Sequence, residues 1–326
     1  MFLLEPIRYV IALLESLVVF IGLPFTTGHF TLPGDYLTKL NRMGIFENCA
    51  QESLPQTDIH DIILEHFENP VDGKTPKCML IGYDGARPDA LANTIGGNEN
   101  GVRALLNGGG AVYNLYTGGR NRLNPFSWQD TSTGPGWTTM LTGHWATEAG
   151  GTGHGITANG INKPEEPKLI FTELLEAELT EQTAFVVSWG GHFTSDDASY
   201  KNDVAYCDDN GLNARWVKTG SDALTFEKTL EEVQDPDAGM VMCILEYCDS
   251  AGHDTGFDNS NPDYVQAIKD SERDGYALIQ AVMDRPTYDQ EDWLILITTD
   301  HGGVFTGHGP QFTVCRQVFL AANKPL

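Results

Sequence analysis

Three acids and three histidines carry most of the chemistry available to this sequence. Asp300 and His301 are adjacent at the end of the apolar run Trp293-Leu-Ile-Leu-Ile-Thr-Thr-Asp300. His308 follows behind Gly302, Gly303 and Gly307, which let the backbone turn back so that a second imidazole approaches the first. In Asp249-Ser-Ala-Gly-His253 another acid and histidine lie four residues apart across small residues, predicting a flexible turn from which both converge on one cation. Asp84 ends a third apolar run, Cys78-Met-Leu-Ile-Gly-Tyr-Asp84. Carboxylates with imidazoles and no thiolate suit Zn, Mn or Fe better than Ca or Mg, and a closed structural zinc cage would be rich in cysteine. The set is large enough for two metal ions. A hydroxyl nucleophile is at hand in Asp130-Thr-Ser-Thr133-Gly-Pro-Gly-Trp-Thr-Thr-Met-Leu-Thr-Gly143. Thr133 precedes a Gly-Pro-Gly turn and a short helix, whose N-terminal N–H groups favour an anion. Held against a metal, such a hydroxyl can lose its proton and attack phosphorus, whereas without that company the same sequence reads as an ordinary threonine N-cap.

Each acid needs an element to deliver it. The runs ending at Asp84, at Asp249 (Met240-Val-Met-Cys-Ile-Leu-Glu-Tyr-Cys-Asp249) and at Asp300 are continuous and apolar, as in strands buried on both faces of a mostly parallel sheet. Functional groups of such sheets collect beyond the carboxyl ends of the strands. Helical patterns over residues 169–179, 222–233 and 262–283 alternate with these runs, the last opening with Pro262 after Ser260-Asn261. Alternation of this kind predicts an α/β fold of layers wound on both faces of the sheet. Upstream, residues 58–67 read as an amphipathic helix closed by Pro70, with His60 and His66 as packing or surface residues. Residues 9–22 are apolar but interrupted by Glu15, without a basic leader or a small-residue cleavage site. They predict a packed or membrane-surface helix rather than a signal peptide.

With 326 residues, 41% of them hydrophobic, the chain can bury a large core. A formal charge of −25, from 20 basic residues against 45 acidic ones, excludes the basic stripe that a nucleic-acid duplex requires. An anionic substrate would be repelled unless bound cations reverse the local field. Cysteines 49, 78, 207, 243, 248 and 315 show no paired metal or redox spacing and predict reduced, buried thiols. A cytoplasmic location is therefore expected, with weak membrane association through residues 1–25 as the alternative.

Taken in order, Tyr83-Asp84-Gly-Ala-Arg-Pro-Asp89, Thr133-Gly-Pro-Gly-Trp-Thr-Thr-Met-Leu-Thr-Gly143, His154-Gly-Ile-Thr-Ala-Asn159, Asp249-Ser-Ala-Gly-His253 and Asp300-His-Gly302 with His308 resemble the alkaline phosphatase superfamily. Within it they are most similar to the type I phosphodiesterase and nucleotide pyrophosphatase branch. The resemblance covers about residues 77–326 and implies a three-layer α/β/α fold with a central, mostly parallel sheet. It implies a catalytic domain over residues 76–326 with a substrate-pocket insert at about 144–240, while residues 1–75 lie outside it and are expected to form an N-terminal helical extension. By the same resemblance Asp84, Asp300, His301 and Thr133 hold one metal, and Asp249, His253 and His308 hold a second. The pair is zinc, or alternatively manganese. Thr133 stands at the nucleophile position and Asn159 at that of a side chain touching a phosphoryl oxygen. The implied activity is hydrolysis of a small phosphate ester or nucleotide-like substrate, as a phosphodiesterase or phosphomonoesterase, through a phospho-threonine. The alternatives are a phosphonate hydrolase, a sulfatase-like hydrolase and a non-catalytic metal- or phosphate-binding protein. Related phosphodiesterases read Thr-Phe-Pro-Asn where this chain has Thr133-Gly134-Pro135-Gly136, and Trp137 stands where a sulfatase needs arginine. Trp189 and His192 either line the leaving-group pocket or pack at a strand end, the latter being the simpler expectation.

Overall fold

An apolar run can stay clear of water along its whole length only inside a sheet covered on both faces, and the three runs that lead toward acids become three neighbouring strands. The structure, a computed structural model, describes residues 54–97, 99–120, 128–145, 168–195 and 198–326. Along the chain come β1 (Leu54–Pro55), α1 (Asp58–Glu68), β2 (Thr75–Tyr83), α2 (Pro88–Leu91), α3 (Gly101–Asn107) and β3 (Ala111–Tyr116). These are followed by α4 (Thr133–Thr142), α5 (Ile170–Glu176), β4 (Gln182–Val187), α6 (Lys201–Asn210), β5 (Ala214–Lys218) and α7 (Asp222–Gln234). The last group is β6 (Ala238–Leu245), α8 (Tyr247–Thr255), α9 (Pro262–Met283), β7 (Glu291–Thr298), α10 (Thr313–Arg316) and β8 (Gln317–Ala322). The eight strands form one sheet in the order β1-β3-β8-β7-β2-β6-β4-β5. β8 runs antiparallel to both of its neighbours, and the other pairings are parallel.

The pleat divides the core in two. On one face Met79, Ile81, Val241, Cys243, Ile295 and Ile297 pack under α9 and α3. On the other, Leu80, Met242, Ile244 and Leu296 pack under α1, α4 and α5. Helices therefore cover both faces, giving the expected three-layer α/β/α class. α9 keeps its predicted bounds because Pro262 fixes its first turn and the Asn261 side chain accepts the Asp263 N–H.

Two boundaries differ from expectation. The stretch 54–68 joins the main body: β1 pairs with β3, and Ile59, Ile63 and Phe67 of α1 are buried against the sheet, where the apolar stripe of an amphipathic helix finds cover. From residue 168 onward the predicted pocket insert is regular layer structure, with β4 and β5 extending the sheet beyond β6. Residues 1–53, including Cys49 and the apolar segment 9–22, lie outside the described residues. No helix among the described residues is long and apolar enough to cross a membrane. Cys78, Cys207, Cys243, Cys248 and Cys315 are buried free thiols, as expected.

Candidate active site

β2 and β7 end side by side, with Gly82 opposite Thr298, so Asp84 and Asp300 leave the sheet together at its carboxyl edge. Both are fully buried. The Gly85 N–H donates to Asp300 Oδ1 at 3.1 Å, and the Trp137 indole N–H donates to Asp84 Oδ2 at 2.9 Å. His301 Nε2 lies 3.3 Å from Asp300 Oδ2 and 3.6 Å from Asp84 Oδ1. Its Nδ1 contacts the Gly302 carbonyl at 2.9 Å, which turns Nε2 toward the acids.

Thr133 begins α4 rather than preceding a turn, with Ser132 as the N-cap and Pro135 within the first helical turn. Its hydroxyl lies 3.5 Å from Asp84 Oδ1 and 3.4 Å from His301 Nε2. The helix approaches closely because Gly136 has no side chain: a Cβ there would lie 2.9 Å from Asp300 Cβ.

Asp249 is delivered differently from the predicted strand end. β6 stops at Leu245, paired with Tyr83, because β2 offers no partner beyond that point. The chain turns into α8, with Asp249 in its first turn and His253 in its last, so helical spacing takes the place of a flexible turn. His253 Nε2 is 3.4 Å from Asp249 Oδ2, and His308 Nε2 is 3.7 Å from Asp249 Oδ1. The His308 ring lies 4.1 Å from that of His301. The loop carrying His308 is tied to the segment before the nucleophile, since Thr131 Oγ1 accepts the Gly309 N–H at 3.0 Å and donates to Pro310 O at 3.1 Å.

Three sets of donor atoms each lie within 4.8 Å of one another: Asp84, Asp300 and His301; Asp249, His301 and His308; Asp84, Glu246 and Asp249. His301 stands in two of them, while His253 touches Asp249 from outside the sets. Burial raises Asp84 well above the usual carboxylate range, and Asp300, Glu246 and Asp249 push it further in the same direction. Burial lifts Asp300 to about 7, against the opposing N–H of Gly85, and it also raises Asp249. Glu246 is raised by burial and then by Asp249 and Asp222. Burial lowers His301 and brings His308 down to about 2, helped by the neighbouring imidazoles. Asp249 Oδ1, Asp300 Oδ2, Glu246 Oε1 and His308 Nδ1 are buried without a hydrogen-bond partner. Crowded carboxylates forced toward protonation and imidazoles forced toward neutrality are a donor set that a divalent cation satisfies. The residues fit such an ion.

The sequence did not single out Glu246, Trp137 or Gln56 for roles here. Glu246 is the residue at which the β6 run turns polar, a signal masked by the apolar Tyr247-Cys248 that follows. Gln56 donates to Asp300 O at 2.9 Å from the distant end of the chain, and a lone glutamine gives no local signal. His192 is fully buried, stacked on Tyr200 at 5.7 Å with Trp189 edge-on at 4.9 Å, so both rings pack at a strand end. His60 and His66 are packing residues: His60 reaches Glu173 and Asp61, and His66 contacts the carbonyls of Lys77 and Asp292. Asn159 lies outside the described residues.

Residues 78–309 match the family model for type I phosphodiesterase / nucleotide pyrophosphatase. No curated protein matches the chain by sequence. Among solved structures it is similar to inactive murine ectonucleotide pyrophosphatase / phosphodiesterase 5 in complex with AMP, at 17% identity and a TM-score of 0.47. That alignment covers 70% of this chain and 57% of the murine one, so the chain spans little more than half of its length. It is also similar to the alkaline phosphatase of the Antarctic bacterium TAB5, at 14% identity and a TM-score of 0.47, over 77% of this chain and 92% of the other.

Proposed function

The chain belongs to the type I phosphodiesterase / nucleotide pyrophosphatase family, a family of phosphoester hydrolases, and we propose that it cleaves a small phosphate ester or nucleotide-like substrate through Thr133. The observation that carries this reading is the Thr133 hydroxyl, at the start of α4 and 3.4–3.5 Å from His301 and Asp84, among carboxylates that crowd one another. In this reading Asp84, Asp300 and His301 hold one divalent ion beside Thr133. Asp249, His253 and His308 hold a second, with His301 near both. Zinc or manganese bound there would supply Lewis-acid charge to ease deprotonation of Thr133 and to neutralise the entering and leaving oxygens.

The chain's own groups do the rest. Trp137 fixes the Asp84 carboxylate, Gly85 and Gln56 fix Asp300, and the start of α4 favours phosphate charge. The Thr133 oxygen passes its proton to solvent water and bonds to phosphorus as the ester P–O bond breaks, and the departing alkoxide takes a proton back from water. A second water then attacks the phospho-threonine, the P–O bond to Thr133 breaks, and one of that water's protons restores the hydroxyl. This releases phosphate from a monoester or a phosphomonoester from a diester. Asn159 is assigned a contact to a phosphoryl oxygen.

Metal analysis of the purified protein, with hydrolysis of p-nitrophenyl phosphate, bis-p-nitrophenyl phosphate and p-nitrophenyl sulfate before and after chelation, tests the reading. Near two metals per chain and chelator-sensitive phosphoester cleavage are expected, and the preferred ester separates diesterase from monoesterase. A metal-loaded protein without phosphoester turnover would overturn it.

A further inference from the structure

The family match begins at residue 78, yet a side chain well upstream of it reaches the candidate metal ligands. Gln56 is fully buried, and its amide nitrogen donates to Asp300 O at 2.9 Å and to Thr299 O at 3.4 Å. Its Oε1 has no partner among the described residues. Turning the amide over would set that oxygen against two carbonyls, so the orientation is forced and the position uses the donor alone. Gln56 thereby ties the backbone of the Asp300 loop to the short segment between β1 and α1.

His60 fastens that segment. It is buried, with Nδ1 3.0 Å from Asp61 Oδ1 and Nε2 3.0 Å from Glu173 Oε2. A neutral imidazole has one N–H and would turn the lone pair of its other nitrogen toward a carboxylate oxygen. Only the doubly protonated ring donates to both. Burial opposes that charge, but Glu173 and then Asp61 outweigh it and raise the imidazole above its ordinary value. Asp61 is mostly exposed and screened by water, so Glu173 on α5 carries most of the hold. The ring also packs on the far end of α4, where it meets the uncharged Gly143. A Cβ on Gly143, the left-handed C-cap of that helix, would lie 3.1 Å from His60 Nδ1. A cation there faces the negative pole of the helix that begins with Thr133.

We propose that protonated His60 is a positioning residue for the site: it latches the start of α1 to α5 and to the end of α4, holding Gln56 on the Asp300 loop and Thr133 in place. The proposal rests on the metal-dependent phosphoester reading above. A group with a raised folded-state pKa adds stability that is complete below its unfolded value of 6.5 and is lost as pH rises through the folded one. The latch is therefore fastened in mildly acidic solution and slackens in alkali. The ligands behave oppositely, since their metal affinity rises as protons leave.

The test measures zinc affinity by competition with a chromogenic chelator, from about pH 5.5 to about pH 9, for wild type, His60→Gln and Glu173→Gln. Amide exchange over residues 54–60 and 133–143 is followed in the metal-free proteins across the same range. At the acid end wild type is expected to bind zinc about fivefold more tightly than His60→Gln and to protect both segments better. Both margins are expected to vanish at the alkaline end. Glu173→Gln keeps a hydrogen-bonding partner for Nε2 but loses the charge, so its margin over His60→Gln should disappear at a lower pH than that of wild type. No margin, a margin of the same size at every pH, or a midpoint unmoved in Glu173→Gln would overturn the proposal. His60-dependent, pH-dependent protection of both segments in a protein that binds no zinc would uphold the latch and overturn the metal reading. Zinc-dependent phosphoester cleavage without a His60 margin would do the reverse.

Discussion

Trp137 and Asp84 are joined across two elements: the indole N–H at the first turns of α4 donates to the carboxylate just beyond β2, at 2.9 Å. The same ring lies over Gly82, where a Cβ would come within 2.4 Å of it. Strand, helix and candidate metal ligand are thus set by one side chain. Trp137→Phe keeps most of the ring and loses the N–H, so metal affinity and kcat/KM are expected to fall about 10–100-fold while the fold persists. Gly82→Ala overpacks the contact and is expected to lose about 1–3 kcal/mol in urea unfolding. Unchanged metal affinity in Trp137→Phe would deny the orienting role.

Thr133→Ala is expected to lower turnover by on the order of 10³-fold or more while metal per chain, read by atomic emission, stays near the wild-type value. Asp300→Ala should lower both. Ordinary turnover by the alanine variant would remove the covalent route.

The acids at the sheet edge predict stability changes of opposite sign with and without metal. Stripped of metal, Asp300→Asn relieves carboxylate crowding around a fully buried group and is expected to melt about 2–4 °C above wild type, equivalent to roughly 1 kcal/mol. On adding zinc to about a hundredfold its dissociation constant, wild type should gain about 3 kcal/mol, and the variant much less. Equal gains measured by scanning calorimetry would show that Asp300 is not a ligand.

Away from the site, Glu272 of α9 accepts the Val102 N–H at 3.0 Å and the Tyr83 hydroxyl at 3.4 Å, and burial raises its carboxyl from 4.5 to about 7. A folded-state value above the unfolded one means that the folded protein binds the proton more tightly. This contribution is complete below about 4.5 and is lost as pH rises toward 7, on the order of 3 kcal/mol in all. Glu272→Gln is expected to flatten the fall in unfolding free energy between pH 5 and about 7.5. A slope unchanged from wild type would assign it to other groups.

The central strands were legible because parallel strands buried on both faces must be apolar throughout, and the acids ending β2 and β7 broke that pattern sharply. Asp249 was legible as a site residue but not as a helical one, since Cys248 and Ala251 prolong an apolar reading and Gly252 weakens a helical one. β3, with alternating exposure, and β5, half-buried or exposed throughout, gave no comparable run. The departure at Gly136 was visible in the sequence, but its reason, the Asp300 backbone and Cβ pressed against it, exists only once two distant segments meet. Gln56 went unseen on the same grounds, because its partner Asp300 is far away in the chain.

The sheet order also fixes when the edge can be completed. Among the described residues, β1 and β3 connect to the remaining strands only through β8, which pairs Ala111 with Ala322 and Leu296 with the same Ala322. On a ribosome, residues 54–116 therefore emerge long before their bridging strand, and an exposed β3 edge must wait for residues 317–322 to be made. That interval is the nascent chain's window of vulnerability to mispairing, and it makes chaperone demand a property of where one antiparallel strand falls in the sequence.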